Sequence, residues 1–162
     1  MRTDLYIVAP LSFLLLCSGL LACSPQYVKG TEVEYSDEKQ GVADVIERYR
    51  VAVERRDVDA LRSLTSLDYY ENGSTTDTPD DDYDYNGLEK VFAELKNTVR
   101  AVKYEITIKA IEVIENQARV DYAYRGQYLF AAGEEDRWAT VSDENRLTLR
   151  RESGTWRILA GM

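Results

Sequence analysis

The apolar residues of this chain change their spacing near residue 100. Between residues 37 and 99 they recur every three or four positions, which is the period of an amphipathic helix. From Tyr104 onward they alternate with polar residues, which is the period of a strand with one buried face. An order of helices followed by strands is typical of an α+β domain. The sequence therefore predicts helices that pack on one face of an antiparallel sheet.

Three helices are predicted before the change of spacing. The first covers residues 37–56, and the second is short and follows Asp57, which can cap its first turn. The third begins near Leu88. Each helix carries one apolar stripe that can be buried against the sheet. The stripes are Val42, Val45, Ile46, Tyr49 and Val53 in the first helix, Leu61, Leu64 and Leu67 in the second, and Leu88, Val91, Phe92, Leu95 and Val99 in the third.

The strands that follow contain one predicted irregularity. The alternation of apolar and polar residues loses its phase near Ala110, which indicates a β-bulge. Turns are predicted at residues 115–117, 132–135 and 153–154. The strands that these turns connect are expected to form a long antiparallel meander, and the bulge would bend the sheet.

Two phrases of the chain resemble those of nuclear transport factor 2-like proteins, which are also called SnoaL-like or cystatin-like. Residues 146–158 read RLTLRRESGTWRI, a strand, a glycine turn and a Trp-Arg-Ile ending that many members share. Residues 55–61 read RRDVDAL, directly after the stripe of the first helix. The resemblance covers roughly residues 37–162. It implies an α+β cone in which three N-terminal helices pack on a curved antiparallel sheet.

The resemblance implies a shape and leaves the activity open. Enzymes of the superfamily, such as ketosteroid isomerases, dehydratases and polyketide cyclases, place acid and base groups inside the cone. Many other members are catalytically silent binding or assembly domains. Because one fold hosts many unrelated functions, the functional residues have to be sought in this chain itself.

The N-terminus carries a second resemblance. Residues 1–22 have the three regions of an export signal: a charged start at Arg2, an apolar stretch and small residues before Cys23. The apolar stretch is shorter than a transmembrane helix requires. Leu20-Leu21-Ala22-Cys23 resembles the lipobox of bacterial lipoproteins. This resemblance implies that residues 1–22 are a signal peptide and that Cys23 becomes the palmitate-bearing first residue, which anchors the chain to a membrane of the cell envelope.

The residues around Cys23 refine this expectation. Cys17 is a poor alternative site, because Leu16 precedes it where a small residue is needed. In the sorting rule of Gram-negative lipoproteins, Ser24 after the cysteine implies the outer membrane, with the domain facing the periplasm. Residues 23–36 are expected to be the lipidated cysteine and a flexible tether, and residues 37–162 the domain. An ordinary secretory signal with an incidental cysteine is the alternative.

The composition excludes several functions. The chain has 29 acidic and 20 basic side chains, a net charge of -9, which disfavours nucleic acid as a partner. Histidine is absent, so the usual proton shuttle, the Ser-His-Asp triad and the commonest zinc ligand are missing. We expect no cofactor.

Tyrosine is abundant, with twelve residues, and several should face inward. A buried tyrosine needs a partner for its hydroxyl, so these residues form either a tyrosine-rich core or a pocket for a small, flat or apolar ligand. Tyr69 and Tyr70 follow the second helix, and one of the two must face the sheet. The predicted pocket residues are Tyr69, Tyr70, Tyr104, Tyr128, Asn145 and Trp156.

Asp143 is the sharpest candidate for chemistry. If its strand keeps its alternation, Asp143 and Asn145 share a face with Leu147 and point toward the inward tyrosines. An aspartate beside tyrosine hydroxyls can act as a general base or as a neutral hydrogen-bond donor, so Asp143, Tyr122 and Tyr124 are the catalytic candidates. A bulge between Val141 and Asn145 would turn Asp143 outward.

The acidic segment 77–87 offers a calcium alternative. Asp82, Asp84 and Asn86 match the opening of an EF-hand loop, but Ala93 stands where the bidentate glutamate is needed. A simpler interpretation is that Asn86 caps the third helix with Glu89 as its partner in a capping box. We therefore expect no metal, with weak calcium binding as the alternative.

Three functions remain open. The leading prediction is a lipid-anchored, non-catalytic ligand-binding or scaffold domain. The alternative is a small-molecule isomerase, dehydratase or cyclase-like enzyme that uses an Asp/Tyr-lined cone. A third is assembly through the convex face of the sheet, where Trp138 should point, with a second copy or an envelope protein as partner.

Overall fold

Helices come first along the chain and strands come last, as the change of apolar spacing predicts. The computed structural model describes residues 25–73, 81–132 and 135–162. Residues 1–22, Cys23 and residues 77–80 of the acidic segment lie outside the described residues. Within the described ranges the elements are α1 (Asp37–Arg55), α2 (Val58–Leu64), β1 (Tyr70–Glu71), β2 (Tyr83–Asp84), α3 (Tyr85–Thr98), β3 (Val99–Ile114), β4 (Gln117–Ala132), β5 (Glu135–Glu152) and β6 (Thr155–Ala160).

The four long strands form one antiparallel sheet in the order β3-β4-β5-β6. The register between β3 and β4 shifts between Ile108 and Ala110, so the predicted bulge is confirmed. A further shift lies between Thr148 and Leu149, where β5 meets β6. Such irregularities bend a sheet, and this one curves around the helices. β1 and β2 form a separate two-stranded ribbon that the apolar pattern did not predict.

Each helix begins at a residue whose side chain accepts a hydrogen bond from the first turn. Ser36 accepts from the backbone N–H of Lys39 at 3.2 Å and begins α1. Asp57 accepts from Ala60 at 3.0 Å, as predicted for α2. α2 ends at Leu64, so Leu67, which the apolar stripe assigned to this helix, is 80% exposed.

The third helix begins three residues earlier than its apolar stripe indicates. Its N-cap is Asp84, whose Oδ1 accepts from the backbone N–H groups of Asn86 and Gly87 at 3.0 Å each. The prediction that Asn86 caps this helix is therefore wrong. Both residues can cap, but Asp84 is held in an extended conformation at the end of β2, which is the geometry that an N-cap needs.

The segment before α1 is packed on the domain, although the sequence predicts a flexible tether over residues 23–36. Val28 donates its backbone N–H to the Val33 carbonyl at 2.8 Å, and Tyr27 pairs with Glu34 as an isolated bridge. Val28 is 1% exposed and Val33 8% exposed, so both valines belong to the core. Two valines on opposite sides of a turn have no regular period, which is why the sequence pattern did not reveal them.

The core lies between the concave face of the sheet and α1. Val120, Leu147, Leu149 and Ile158 from three strands are each 0% exposed, as is Val42 of α1. Alternation along the strands places these residues on one face, where the helix stripe covers them. None of the helices in the described ranges combines the length and apolar content that a membrane crossing requires.

The core assignment predicts a contrast between two isoleucines. Ile158→Ala is expected to lower the free energy of unfolding by about 2–5 kcal/mol, because Ile158 is 0% exposed and its truncation leaves a cavity. Ile114→Ala is the matched control and should change it by less than about 0.5 kcal/mol, because Ile114 is 69% exposed. Urea unfolding followed by circular dichroism measures both. Equal losses would contradict the assignment.

Candidate functional site

The concave face carries the polar residues that alternation places there. The register between β4 and β5 runs without a break, with Tyr122 opposite Asn145 and Tyr124 opposite Asp143. Opposite residues of an antiparallel pair share a face. The bulge that would turn Asp143 outward is absent from this described stretch, so Asp143 lies on the same face as the tyrosines of β4.

Tyrosine rings fill the interior of the cone. Tyr49 of α1 meets Tyr104 of β3 edge-on, with ring centroids 6.1 Å apart, and Tyr104 lies 5.8 Å from the ring of Tyr124. Tyr122 lies 6.0 Å from Tyr124. Tyr49, Tyr104 and Tyr122 are each exposed by 6% or less. The inward tyrosines therefore build a core that occupies the middle of the cone.

Gly126 leaves room for the ring of Tyr128 on the concave face. A Cβ atom at Gly126 would lie 2.5 Å from the ring of Tyr128, which covers the glycine backbone on the concave face. Tyr128 also lies 6.2 Å from the ring of Phe130. Tyr128 therefore packs over the backbone of its own strand and beside Phe130 on the concave face. That it lines a pocket stays a prediction.

Two other predicted pocket residues lie elsewhere. Trp156 is 6% exposed, and the Arg151 guanidinium sits 4.6 Å from its ring centroid. Tyr70 is 53% exposed and donates its hydroxyl to Asp82. Of the neighbours Tyr69 and Tyr70, Tyr69 is the buried one, because successive residues of β1 and its lead-in point to opposite sides.

An open cleft of about 500 Å³ lies at the mouth of the cone, where the β1–β2 ribbon faces β4 and β5. We call it the mouth cleft. Tyrosine rings and amide groups form part of its wall, and carboxylates form the rest. Its lining residues are Glu71, Asn72, Gly73, Asp81, Tyr83, Tyr124, Asp143, Glu144, Asn145 and Met162.

The mouth cleft is negatively charged. Four of its lining residues, Glu71, Asp81, Asp143 and Glu144, carry carboxylates, and none of the described lining residues is lysine or arginine. Asp143 is exposed, and its Oδ1 accepts a hydrogen bond from the backbone N–H of Glu144 at 2.8 Å. Asp143 therefore faces an open, acidic cleft at the mouth of the cone. The charge favours a ligand that is cationic or donates hydrogen bonds.

Met162 lines the mouth cleft, and together with Gly161 it forms the short segment that follows β6. The backbone N–H of Gly161 donates to Glu71 Oε2, and the backbone N–H of Met162 donates to the Tyr69 hydroxyl at 3.2 Å. The Tyr69 hydroxyl in turn donates to Glu71 Oε2 at 2.7 Å. Side chains of the β1 region thus bind both backbone N–H groups of the segment.

The carbonyl groups of the same segment are bound from the other side. The Gly161 carbonyl accepts from the Tyr122 hydroxyl at 3.3 Å and from Asn145 Nδ2 at 3.2 Å. The Met162 carbonyl accepts from the Tyr83 hydroxyl at 3.3 Å. Residues from β2, β4 and β5 therefore converge on the backbone oxygens of two consecutive residues.

Comparisons with known proteins agree with this architecture. No protein-family model matches the sequence, and no curated protein matches it. The structure is similar to a nuclear transport factor 2-like superfamily protein from Salmonella enterica, with a TM-score of 0.62, 14% identity, and coverage of 76% of this chain and 87% of that one. The chain has the nuclear transport factor 2-like fold.

Other solved structures with this fold carry enzyme descriptions. A ketosteroid isomerase-like protein from Erwinia carotovora atroseptica has a TM-score of 0.62 and 20% identity. The similarity covers 78% of this chain and 95% of that one. A candidate scytalone dehydratase from Novosphingobium aromaticivorans has a TM-score of 0.65 and 14% identity, over 76% and 80% of the two chains. Identities this low establish the shared fold and do not transfer an activity.

Burial controls the tyrosine hydroxyls of this nuclear transport factor 2-like cone. Burial raises the pKa of Tyr122 to about 12, against the opposing effect of the Asn145 hydrogen bond. Burial also raises the pKa of Tyr69 well above its usual range, and the hydrogen bond to Glu71 adds to this effect. Burial likewise raises the pKa values of Tyr49 and Tyr104. These hydroxyls stay protonated at neutral pH and can donate hydrogen bonds.

The carboxylates of the predicted calcium site make hydrogen bonds to other groups in the structure. Asp82 accepts from the Tyr70 hydroxyl and from the Gly73 backbone N–H. Asp84 caps α3, and the Gly87 backbone N–H lowers the pKa of its carboxyl. Asn86 Nδ2 donates to Asp84. Among the described residues, no group of three or more potential ligands could hold a metal ion.

Sequence reasoning missed the contribution of Glu71 and of the Gly161–Met162 segment. One signal was available: Tyr69 and Glu71 are two positions apart, so both would face the same side of an extended chain. No local pattern indicates that residues after β6 contact them, because this contact joins positions about 90 residues apart in sequence.

The raised pKa values predict a loss of stability at high pH. Above the ordinary tyrosine pKa of about 10, the unfolded chain releases protons that the folded chain retains, so the free energy of unfolding should fall as pH rises toward the folded pKa values. Urea unfolding at pH 8, 10 and 11 measures this slope. Tyr122→Phe should make the slope shallower, and a stability that is unchanged between pH 8 and 11 would contradict the burial of these hydroxyls.

Proposed function

We propose that this protein is a lipid-anchored ligand-binding domain of the bacterial cell envelope and that its ligand occupies the mouth cleft. The observation that carries the proposal is the cleft itself, about 500 Å³ in volume, where tyrosine rings and polar groups from separate elements converge. Small-molecule sites combine concave shape with a few placed polar groups in this way. The tyrosine core fills the interior, so the mouth is the part of the cone that offers room.

The charge of the mouth cleft limits the class of ligand that can bind there. A wholly apolar ligand would remove the exposed Asp143 carboxylate from water without supplying a charged partner, which is unfavourable. A ligand with a positive charge or several hydrogen-bond donors would compensate the carboxylates, and a flat apolar part could lie on the rings of Tyr83 and Tyr124. We therefore propose an amine-bearing amphipathic ligand, which is more specific than the small, flat or apolar ligand that the sequence suggested.

A small-molecule enzyme is the second candidate. It is favoured by the pairing of Tyr124 with Asp143 on the concave face, and by neighbours of the same fold that are described as candidate dehydratases or as an aromatic ring hydroxylase candidate. Binding is preferred here because Asp143 is solvent-exposed and bonded to its own neighbouring backbone. A catalytic carboxyl is ordinarily tuned by burial or by a close charged partner.

The anchor part of the proposal rests on the lipobox resemblance at Cys23. The ordered domain begins close behind it, since Gln26 already accepts a backbone hydrogen bond from Tyr35. Three residues of extended chain reach about 10 Å, so a lipid on Cys23 would hold the domain against the membrane surface. Ser24 supports the outer membrane as its location in a Gram-negative host.

The membrane anchor is tested by one cysteine substitution and a matched one. In a bacterial host that expresses the full chain, Cys23→Ala should abolish incorporation of radiolabelled palmitate and move the protein out of the membrane fraction. Cys17→Ala should change neither result, because Leu16 precedes this cysteine where a small residue is needed. Palmitate labelling that survives Cys23→Ala, or that never occurs in the unmodified chain, would refute the anchor.

The ligand site is tested with two probes that differ in charge. Tyramine and 4-ethylphenol share a phenol ring, but only tyramine carries an amine. In NMR titrations at low salt, tyramine should bind at least about 5-fold more tightly, because the carboxylates of the cleft attract its charge. Asp143→Asn should weaken tyramine binding severalfold. Ser142→Ala, the neighbouring residue on the opposite face, should leave it unchanged. Absence of binding by both probes would count against the proposed ligand site.

A further inference from the structure

We propose that Tyr69, Glu71, Tyr83, Tyr122 and Asn145 form a peptide-recognition site, which the protein's own Gly161–Met162 segment occupies in this structure and from which a peptide-like amide ligand displaces it. This inference rests on the proposed ligand-binding function of the mouth cleft, and it names the ligand class. On this proposal, the Gly161–Met162 segment and the ligand compete for the same site.

The first argument is the completeness of the hydrogen bonding around the segment. Both N–H groups and both carbonyls of Gly161 and Met162 are bonded to side chains of other elements. Backbone groups that leave a sheet usually turn to water or to nearby backbone. Here, two acceptors and three donors are arranged as the complement of the backbone groups of two consecutive residues.

The second argument concerns what the site would lack without its occupant. Tyr69 and Tyr122 are each 2% exposed. Removal of the segment would take a partner from each of these two buried hydroxyls, and also from Asn145 Nδ2 and Glu71, which line the open cleft. Buried polar groups without partners are costly, so the empty site favours an occupant that supplies both amide N–H and carbonyl groups. Peptides have this chemistry.

The third argument concerns how small a change would displace the segment. The hydroxyls of Tyr83 and Tyr122 lie 3.3 Å from backbone oxygens of the segment, which is longer than the usual O–H···O bond. The bonds from Asn145 Nδ2 and to the Tyr69 hydroxyl are 3.2 Å long, at the long end of the N–H···O range. Gly161 has φ +94, and a Cβ atom there would lie 2.0 Å from the Arg146 carbonyl oxygen. Position 161 of the segment therefore accommodates only glycine, and the methyl group of an alanine there should expel the segment.

The position of the segment joins the two sites. Met162 lines the mouth cleft, so a peptide that replaces the segment continues directly into the cleft beside Asp143. The carboxylates there suit an amine or another cationic group of the same molecule. The ligand class is accordingly a short peptide or peptide-like amide with a positive charge.

The test uses the full chain with Gly161→Ala, which should expel the segment. Gly154→Ala is the matched control: Gly154 also has a positive φ, but a Cβ atom there meets nothing within 4 Å and lies in the β5–β6 turn. The probe is acetyl-Ala-Gly-Met-amide, a copy of residues 160–162. In NMR titrations, Gly161→Ala should bind it at least about 10-fold more tightly than the unmodified chain and the control, and Asn145→Ala added to Gly161→Ala should remove this gain.

Folding is checked by circular dichroism before each titration. If Gly161→Ala does not fold, amide exchange of Gly161 and Met162 in the unmodified chain takes its place, and added probe should accelerate it as the segment is displaced. A folded Gly161→Ala that binds no better than the control, or exchange that the probe leaves unchanged, overturns the inference. Tyramine separates the two proposals: its binding without peptide binding overturns only this inference, and loss of both overturns the ligand site as well.

Discussion

The contact between the tyrosine row and α1 is the interaction on which the rest of the structure depends. Tyr49 of α1 meets Tyr104 edge-on, and the row continues through Tyr124 to the mouth of the cone. Aromatic rings bury large areas and fill volume that smaller side chains would leave open. Because the row occupies the interior, it fixes the distance between helix and sheet and confines any ligand to the mouth.

A core of tyrosine also brings hydroxyl groups into a dry interior. Among the described residues, no buried side-chain oxygen or nitrogen lacks a hydrogen-bond partner. At the mouth, that requirement is met by the backbone of Gly161 and Met162, which bonds to Tyr69 and Tyr122. The groups that complete the core are thus the same groups that could hold a ligand, which links the packing of the cone to the occupancy of its opening.

Local patterns predicted the parts of the site that depend on strand alternation. Asp143 and Asn145 lie on the concave face because the β4–β5 register is unbroken, and the bulge lies where the phase slips near Ala110. Capping was harder, because Asp84 and Asn86 are both suitable cap residues, and the β1–β2 ribbon decides between them. The turn that buries Val28 and Val33 has no period to detect.

The sequence by itself determined the order of helices and strands, the face on which each strand residue lies and the acidic character of the chain. These are properties of spacing and composition, which each segment carries without its neighbours. The tertiary structure alone decided that the cone is filled, that Asp143 faces solvent, and that Glu71 meets the segment after β6. Those outcomes depend on side-chain volumes and on contacts between residues distant in sequence, which emerge only when the helices, ribbon and sheet are packed together.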